Sequence, residues 1–104
     1  GIIKGGIPIL DIQYGNVWTN IDKKTFANLD LKAGDMVKIQ IFNGTKKVYD
    51  GKLKLVHTFG EVQVGTDVCY FNSLLNFSLA VNQGSFSQKY KIYSGAEWSI
   101  LVSK

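Results

Sequence analysis

The sequence holds no arginine and only one cysteine, one histidine and one proline in 104 residues. Each scarcity removes a class of protein. A single cysteine, Cys69, allows no internal disulfide, which fits a cytoplasmic protein. Cys69 lies in the apolar run "DVCYF", where a small buried side chain is expected, because reactive thiols occupy cationic, accessible settings. The lone His57, between Val56 and Thr58, excludes a histidine-rich metal site or a multi-histidine relay and points to a structural or surface role. No phosphate-cradling G-x-x-x-x-G-K-[ST] loop occurs. The eight carboxylates are dispersed, mostly at turns, and spacing pairs no two of them for acid–base work. No metal or cofactor is expected.

Long apolar runs are also missing. None approaches the ~20 residues that a membrane-spanning helix requires. The opening "GIIKGGIPIL" has neither the apolar core nor the cleavage site of a signal peptide. It lacks an initiator methionine as well, so the chain is expected to be a piece of a longer protein.

Twelve lysines against eight acidic residues leave a net charge of +4. Lysine lacks the planar fork with which arginine grips guanine and phosphate. The lysines are scattered, with one loose group at Lys46, Lys47, Lys52 and Lys54, which a solvated face or a protected sheet edge explains. Neither nucleic acid nor membrane is an expected partner.

What is present is alternation. Val37, Ile39 and Ile41 oppose Lys38 and Gln40; Leu53 and Leu55 oppose Lys52 and Lys54; Phe77, Leu79 and Val81 oppose Ser78, Ala80 and Asn82; and Trp98, Ile100 and Val102 continue the pattern. This is the period of half-buried strands. Asn43-Gly44 marks a hairpin into a strand near 46–55, and Gly34-Asp35, Gly65-Thr66 and Ser94-Gly95 mark further turns. Residues 23–30 are the one helical candidate, capped by Asp22 and burying Phe26 and Leu29. Pro8 fits an edge or the start of a strand. Seven or eight short strands imply a sandwich or small closed barrel in one domain, residues 1–104, with at most one short helix.

The segment "LDIQYGNVWTNI" (10–21) stands apart. Tyr14, Asn16 and Trp18 share parity, so an extended backbone would aim all three to one face. A flat ring beside a carboxamide can stack on a heteroaromatic base and exchange hydrogen bonds with its edge. The competing reading makes Trp18 a core aromatic and the asparagines turn formers.

The same segment resembles the signature opening the C-terminal domain of the S-adenosylmethionine (SAM) hydroxide adenosyltransferases and their relatives, the fluorinase and chlorinase. "FNSLLNFSLAVNQGS" (71–85) resembles the family's second signature, and "GDMVKI" (34–39) and "YSGAEWSILV" (93–102) match its later strands. The likeness runs in order over about residues 5–102. It implies a small closed Greek-key β-barrel of about seven strands, the C-terminal part of a two-domain enzyme whose N-terminal domain is absent here. It further implies a homotrimer with SAM held between this domain and the N-terminal domain of a neighbouring subunit. The implied reaction is attack of water or hydroxide at the ribose 5′ carbon, giving adenosine and L-methionine. SAM is then the substrate, and this domain alone should be inactive.

Carried over by position, Asp11 would meet the methionine ammonium and Ser73 would help at that end. Asn16 would bond the adenine edge, and Tyr14, Trp18 and Phe59 would wall the purine, Phe59 being placed by its position before a Val62–Val64 strand. Asn82 and the backbone around Gln83 would close the adenine side, while Asn20 would hold the turn after its strand. Leu74, Leu75 and Val81 depart from the family pattern: neither 74 nor 81 carries a charge, which favours hydroxide transfer over halogenation. Two other classes remain open, a single-strand nucleic-acid-binding barrel and a structural trimerisation barrel without ligand.

Overall fold

In the computed structural model, which describes residues 1–104, alternation becomes strands almost everywhere it was expected. The elements in chain order are β1 (Ile2–Ile7), β2 (Ile9–Leu10), β3 (Val17–Asp22), α1 (Lys23–Phe26), β4 (Met36–Asn43), β5 (Lys46–Leu55), β6 (Asp67–Phe71), β7 (Asn76–Val81), α2 (Phe86–Tyr90) and β8 (Gly95–Ser103). Two 3-10 turns, Ala27–Leu29 and Phe59–Glu61, complete the set. No helix is long and apolar enough to cross a membrane.

All eight strands join one sheet in the order β1-β8-β4-β5-β6-β7-β3-β2. Every pairing is antiparallel except β5 with β6. The sheet curls until β1 lies against β3, yet no backbone ladder joins those two strands. The barrel-like wall is therefore all-β as expected but is not closed by hydrogen bonds between strands. A side chain spans the seam instead: the Gly6 N–H donates to Asn20 Oδ1 at 2.8 Å. Asn20 thus serves the seam, and not the turn the sequence assigned it. Gly5 allows the close approach, since a Cβ there would meet Ile21 Cγ1 at 2.5 Å.

The interior follows period two. Val37, Ile39 and Ile41 of β4, Leu53 and Leu55 of β5, and Trp98, Ile100 and Val102 of β8 are all buried. Phe77 stacks on Phe26 at 4.9 Å between ring centroids. That contact fixes α1, whose N-cap Asp22 accepts from the Thr25 N–H at 2.7 Å as anticipated. The Asn43-Gly44 hairpin forms, with Gly44 at φ 62 leading the tight turn.

β7 departs from the expected half-burial: Phe77 through Val81 are buried on both faces. The outer face is covered by a second cluster of Val56, Val68 and Ala80, against which Phe59, Val62 and Tyr70 pack. Residues 56–62 supply this cover. They form an irregular segment with a 3-10 turn, and the strand expected at 62–64 is absent, with Val64 exposed. Cys69 is fully buried inside, and burial pushes its thiol well above the ordinary range, in keeping with a packing role.

Candidate functional site

The Tyr14–Trp18 segment is not one extended run. The Asp11 N–H donates to the Asn16 carbonyl at 2.9 Å and the Gly15 N–H to the Asp11 carbonyl at 2.8 Å, closing a loop before β3 begins. Gly15 sits at φ 71, a backbone region that favours glycine. Parity therefore does not place Tyr14, because the loop interrupts the extended backbone that parity requires. The loop nevertheless delivers Tyr14 and Asn16 to one place.

That place is an open cleft of about 650 Å³ lined by Gln13, Tyr14, Asn16, Phe59, Val81, Asn82, Gln83 and Gly84. Five of the eight candidate residues meet there: Tyr14, Asn16, Phe59, Asn82 and Gln83. Asp11 and Trp18 line an adjoining shallow depression with Ile9, Leu10, Ile12 and Gln13. Ser73 does not join them; it is exposed in the β6–β7 turn, at the opposite end of β7 from Asn82.

Asn16 is only 5% exposed, and its Nδ2 donates to the Tyr70 hydroxyl at 3.0 Å. A carboxamide has two donors and an acceptor oxygen, so one N–H and Oδ1 are left for a ligand. Asn82 has less to offer. Its Nδ2 donates to the carbonyls of Phe59 at 3.2 Å and Val62 at 3.1 Å, so only Oδ1 remains, as an acceptor. Those two bonds tie the end of β7 to the 3-10 turn and so place Phe59 at the cleft. Gln83 lies in the left-handed region at φ 60, and neither its N–H nor its carbonyl is used in the backbone network. The Asp11 carboxylate accepts from the Gln13 N–H at 3.1 Å, ordering the loop.

The Phe59 turn is fixed by a capping box at Thr58 and Glu61. The Glu61 carboxylate accepts from the Thr58 N–H at 2.6 Å and the His57 N–H at 2.7 Å. The Thr58 bond is the largest influence holding the Glu61 carboxyl below the usual carboxylate range. A depressed folded value means the ionised form is favoured by folding. The stabilisation is complete above the ordinary glutamate range and is lost as pH falls through the lower folded value. The His57 and Thr58 amide resonances should therefore titrate together, with a midpoint below that of a free glutamate, and should show no such step in Glu61→Gln. A midpoint at or above the ordinary value would show that the carboxylate does not hold this turn.

Tyr70, which shapes the site, carried no signal in the sequence, and Asn72 stood only within the second family signature, with no role assigned to it. Tyr70 packs edge-on against Phe59 at 5.3 Å and accepts from Asn16; burial is the largest cause of its raised pKa. The Trp18 indole N–H is buried without a partner in hydrogen-bond geometry. It still lies close enough to Tyr70 to favour that group's ionised form, a polar proximity and not a formed bond. Asn72 is buried, and its Oδ1 accepts from Leu74 N–H at 2.9 Å and Asn76 N–H at 3.1 Å while its Nδ2 donates to Ser78 Oγ at 3.1 Å. It thereby shapes the turn carrying Ser73, in which Leu75 takes φ 63. A helix was missed too: Ser85 caps α2 by accepting from the Gln88 N–H. Ser-x-x-Gln and Thr-x-x-Glu were visible signals for both turns.

A curled, mostly antiparallel sheet bearing a carboxamide-and-aromatic cleft at one end of β7 defines the class, an all-β domain with an open cleft. The chain belongs to the family described as the SAM hydroxide adenosyltransferase C-terminal domain, which matches residues 5–99. It is 30% identical over 96 residues to a fluorinase of Actinopolyspora mzabensis, covering 91% of this chain and 31% of that protein. A fluorinase of Actinoplanes sp. (strain N902-109) is 32% identical over 96 residues, with the same coverage of 91% and 31%. The chain thus spans about a third of the length of these relatives. The fold matches an uncharacterized conserved protein from Thermotoga maritima with a TM-score of 0.85 at 26% identity, over 99% of this chain and 36% of that one. A conserved hypothetical protein from Thermus thermophilus shares the fold at a TM-score of 0.60 and 23% identity, over 95% of this chain and 34% of that one.

Proposed function

We propose that this chain is the adenosyl- and methionine-binding part of an enzyme that hydrolyses SAM to adenosine and L-methionine, by attack of water or hydroxide at the ribose 5′ carbon. The observation carrying this reading is the convergence of Tyr14, Asn16, Phe59, Asn82 and Gln83 on one cleft from three distant parts of the chain. Asn16 offers the donor and acceptor that an adenine edge needs, and Tyr14 and Phe59 supply apolar walls.

The rest of the substrate would run from the cleft into the adjoining depression that Trp18 helps to line. Asp11, beside Trp18, is the carboxylate available to a methionine ammonium, a charge-assisted contact. The cleft opens at one side, so a second wall is required. The N-terminal domain of a neighbouring subunit in a homotrimer would provide it, together with the groups that activate water. Catalysis by this half would then be positioning of the ribose carbon for in-line displacement.

Hydroxide transfer is favoured over halide transfer by the apolar side chains at the two departures. Val81 lines the cleft and Leu74 is exposed on its turn, and neither carries the charged side chain that the resemblance implies for the halogenating branch. The protein at the full length of its relatives, incubated with SAM, should yield adenosine and methionine at a rate unaffected by chloride or fluoride. A 5′-halogenated nucleoside, or SAM left intact, would overturn the reading.

A further inference from the structure

We infer that a second cavity of this domain, separate from the cleft, binds a small amphipathic anion, a carboxylate carried on a compact aromatic body. The cavity holds about 420 Å³, within the range of small-molecule sites, and shares no lining residue with the cleft. Phe71 and Leu75, which line it, precede β7, whereas the cleft gathers Val81 through Gly84, where β7 ends. The fold makes the hollow by ending two parallel strands side by side. β5 stops at Leu55 and β6 at Phe71. The segment after α1 is tied across Leu55, whose carbonyl accepts from the Gly34 N–H at 2.7 Å and whose N–H donates to the Asp35 carbonyl at 2.9 Å. That tie brings Leu31 and Lys32 to the same hollow.

Leu31, Leu55, Val56 and Phe71 give the cavity an apolar floor, while Lys23, Lys32 and His57 stand at its rim and no acidic residue lines it. The Lys23 Nζ lies 5.8 Å from the centroid of the Phe71 ring, so one ammonium is already held over an aromatic face. Neither lysine forms an ion pair; the pairs in this chain join Lys47 to Asp50 and Lys89 to Asp67. The acids flanking the rim residues are turned to the backbone instead. Asp22 accepts from the Thr25 N–H at 2.7 Å, Asp35 from the Lys32 N–H at 3.0 Å, and Glu61 from the His57 and Thr58 N–H groups. Asp30 forms no ion pair either. Positive charge is thus uncompensated at the mouth of an apolar hollow. A carboxylate meets the lysines by charge-assisted contact, and an aromatic ring can pack against Phe71. An inorganic anion would leave the floor bare, and a neutral hydrocarbon would leave the lysines unpaired.

The test is calorimetric titration of the full-length protein with phenylbutyrate and with its neutral amide. The acid should bind saturably and about tenfold more tightly than the amide, the combined scale of two exposed charge contacts. Lys23→Gln and Lys32→Gln change exposed side chains outside the adenine cleft. Each should weaken the acid by about threefold and leave the amide unchanged. Added salt should likewise weaken the acid alone. Amide chemical shifts locate the ligand: saturable changes are expected at Lys32, Ala33, His57, Phe71 and Leu75, with none at Asn16 or at Asn82 through Gly84. Equal affinity for acid and amide would show an apolar hollow without anion preference and overturn the proposal. Shifts centred on the cleft, or no binding by the full-length protein, would overturn it as well.

Discussion

Replacing Gly15 by alanine should cost more than any other single methyl group added to this protein. Two independent penalties meet at the position. The residue sits at φ 71, where an L side chain costs about 1–2 kcal/mol. A Cβ there would also lie 1.9 Å from Ser85 Oγ, 2.8 Å from Ser85 Cβ and 3.1 Å from Ser87 Oγ. Ser85 cannot yield freely, because its hydroxyl caps α2. Ser87 is held as well, since its N–H donates to the Gly15 carbonyl at 3.0 Å. Forcing that packing apart adds about 1–3 kcal/mol, so a total of roughly 3 kcal/mol is expected, with a fall in Tm of about 10–20 °C for a domain of this size. Tyr14 and Asn16 flank the residue, so nucleoside binding should disappear even where the fold survives. Gly44→Ala is the control. Its φ of 62 is also left-handed, but nothing lies within 4 Å of the added Cβ, so only the conformational penalty applies. Equal losses in the two variants, measured by thermal melting, would show that the Ser85 contact is unimportant.

The second large effect concerns binding. Asn16→Ala removes both ligand-facing polar groups of the carboxamide and leaves the Tyr70 hydroxyl without its donor. Two hydrogen bonds at about 0.5–1.5 kcal/mol each correspond to a loss of affinity for adenosine of about tenfold or more. Stability should fall by only about 1 kcal/mol, the net contribution of one buried hydrogen bond. The separation of these two numbers is the diagnostic part. Calorimetry and melting on the same preparations would show it, and an affinity loss that merely tracked instability would remove Asn16 from the site.

Much of this was legible in the sequence, for identifiable reasons. β4, β5 and β8 each have one face on the core, so their alternation revealed both the strand and its buried side. Asp22 announced the start of α1 because a cap acts on its own turn. β7 misled because its second face is covered by residues 56–62, a tertiary contact that period two cannot report. Trp18, Asn16 and Tyr14 looked coplanar only because the sequence does not show the backbone hydrogen bonds that close the 11–16 loop. Gly15 did carry a signal there, a glycine between a tyrosine and an asparagine. Tyr70 was invisible for a different reason: its partner lies 54 positions away, and no local pattern links them. The roles of Ser73 and Asp11 came from the family resemblance, and the geometry places Ser73 outside the cleft, in the β6–β7 turn, and Asp11 beside Trp18.

The proposed function of this domain depends on adenosine occupying the cleft at the end of β7. Amide chemical-shift mapping of the full-length protein, titrated with adenosine, asks where the nucleoside sits. Saturable shifts are expected at Gln13, Tyr14, Asn16, Phe59 and Asn82 through Gly84, with none on the lysine-bearing outer face of β4 and β5. Shifts confined to Lys38, Lys52 and Lys54 would place the nucleoside elsewhere and refute the adenine slot, as would a saturating titration that left the residues around Asn16 and Gln83 unmoved.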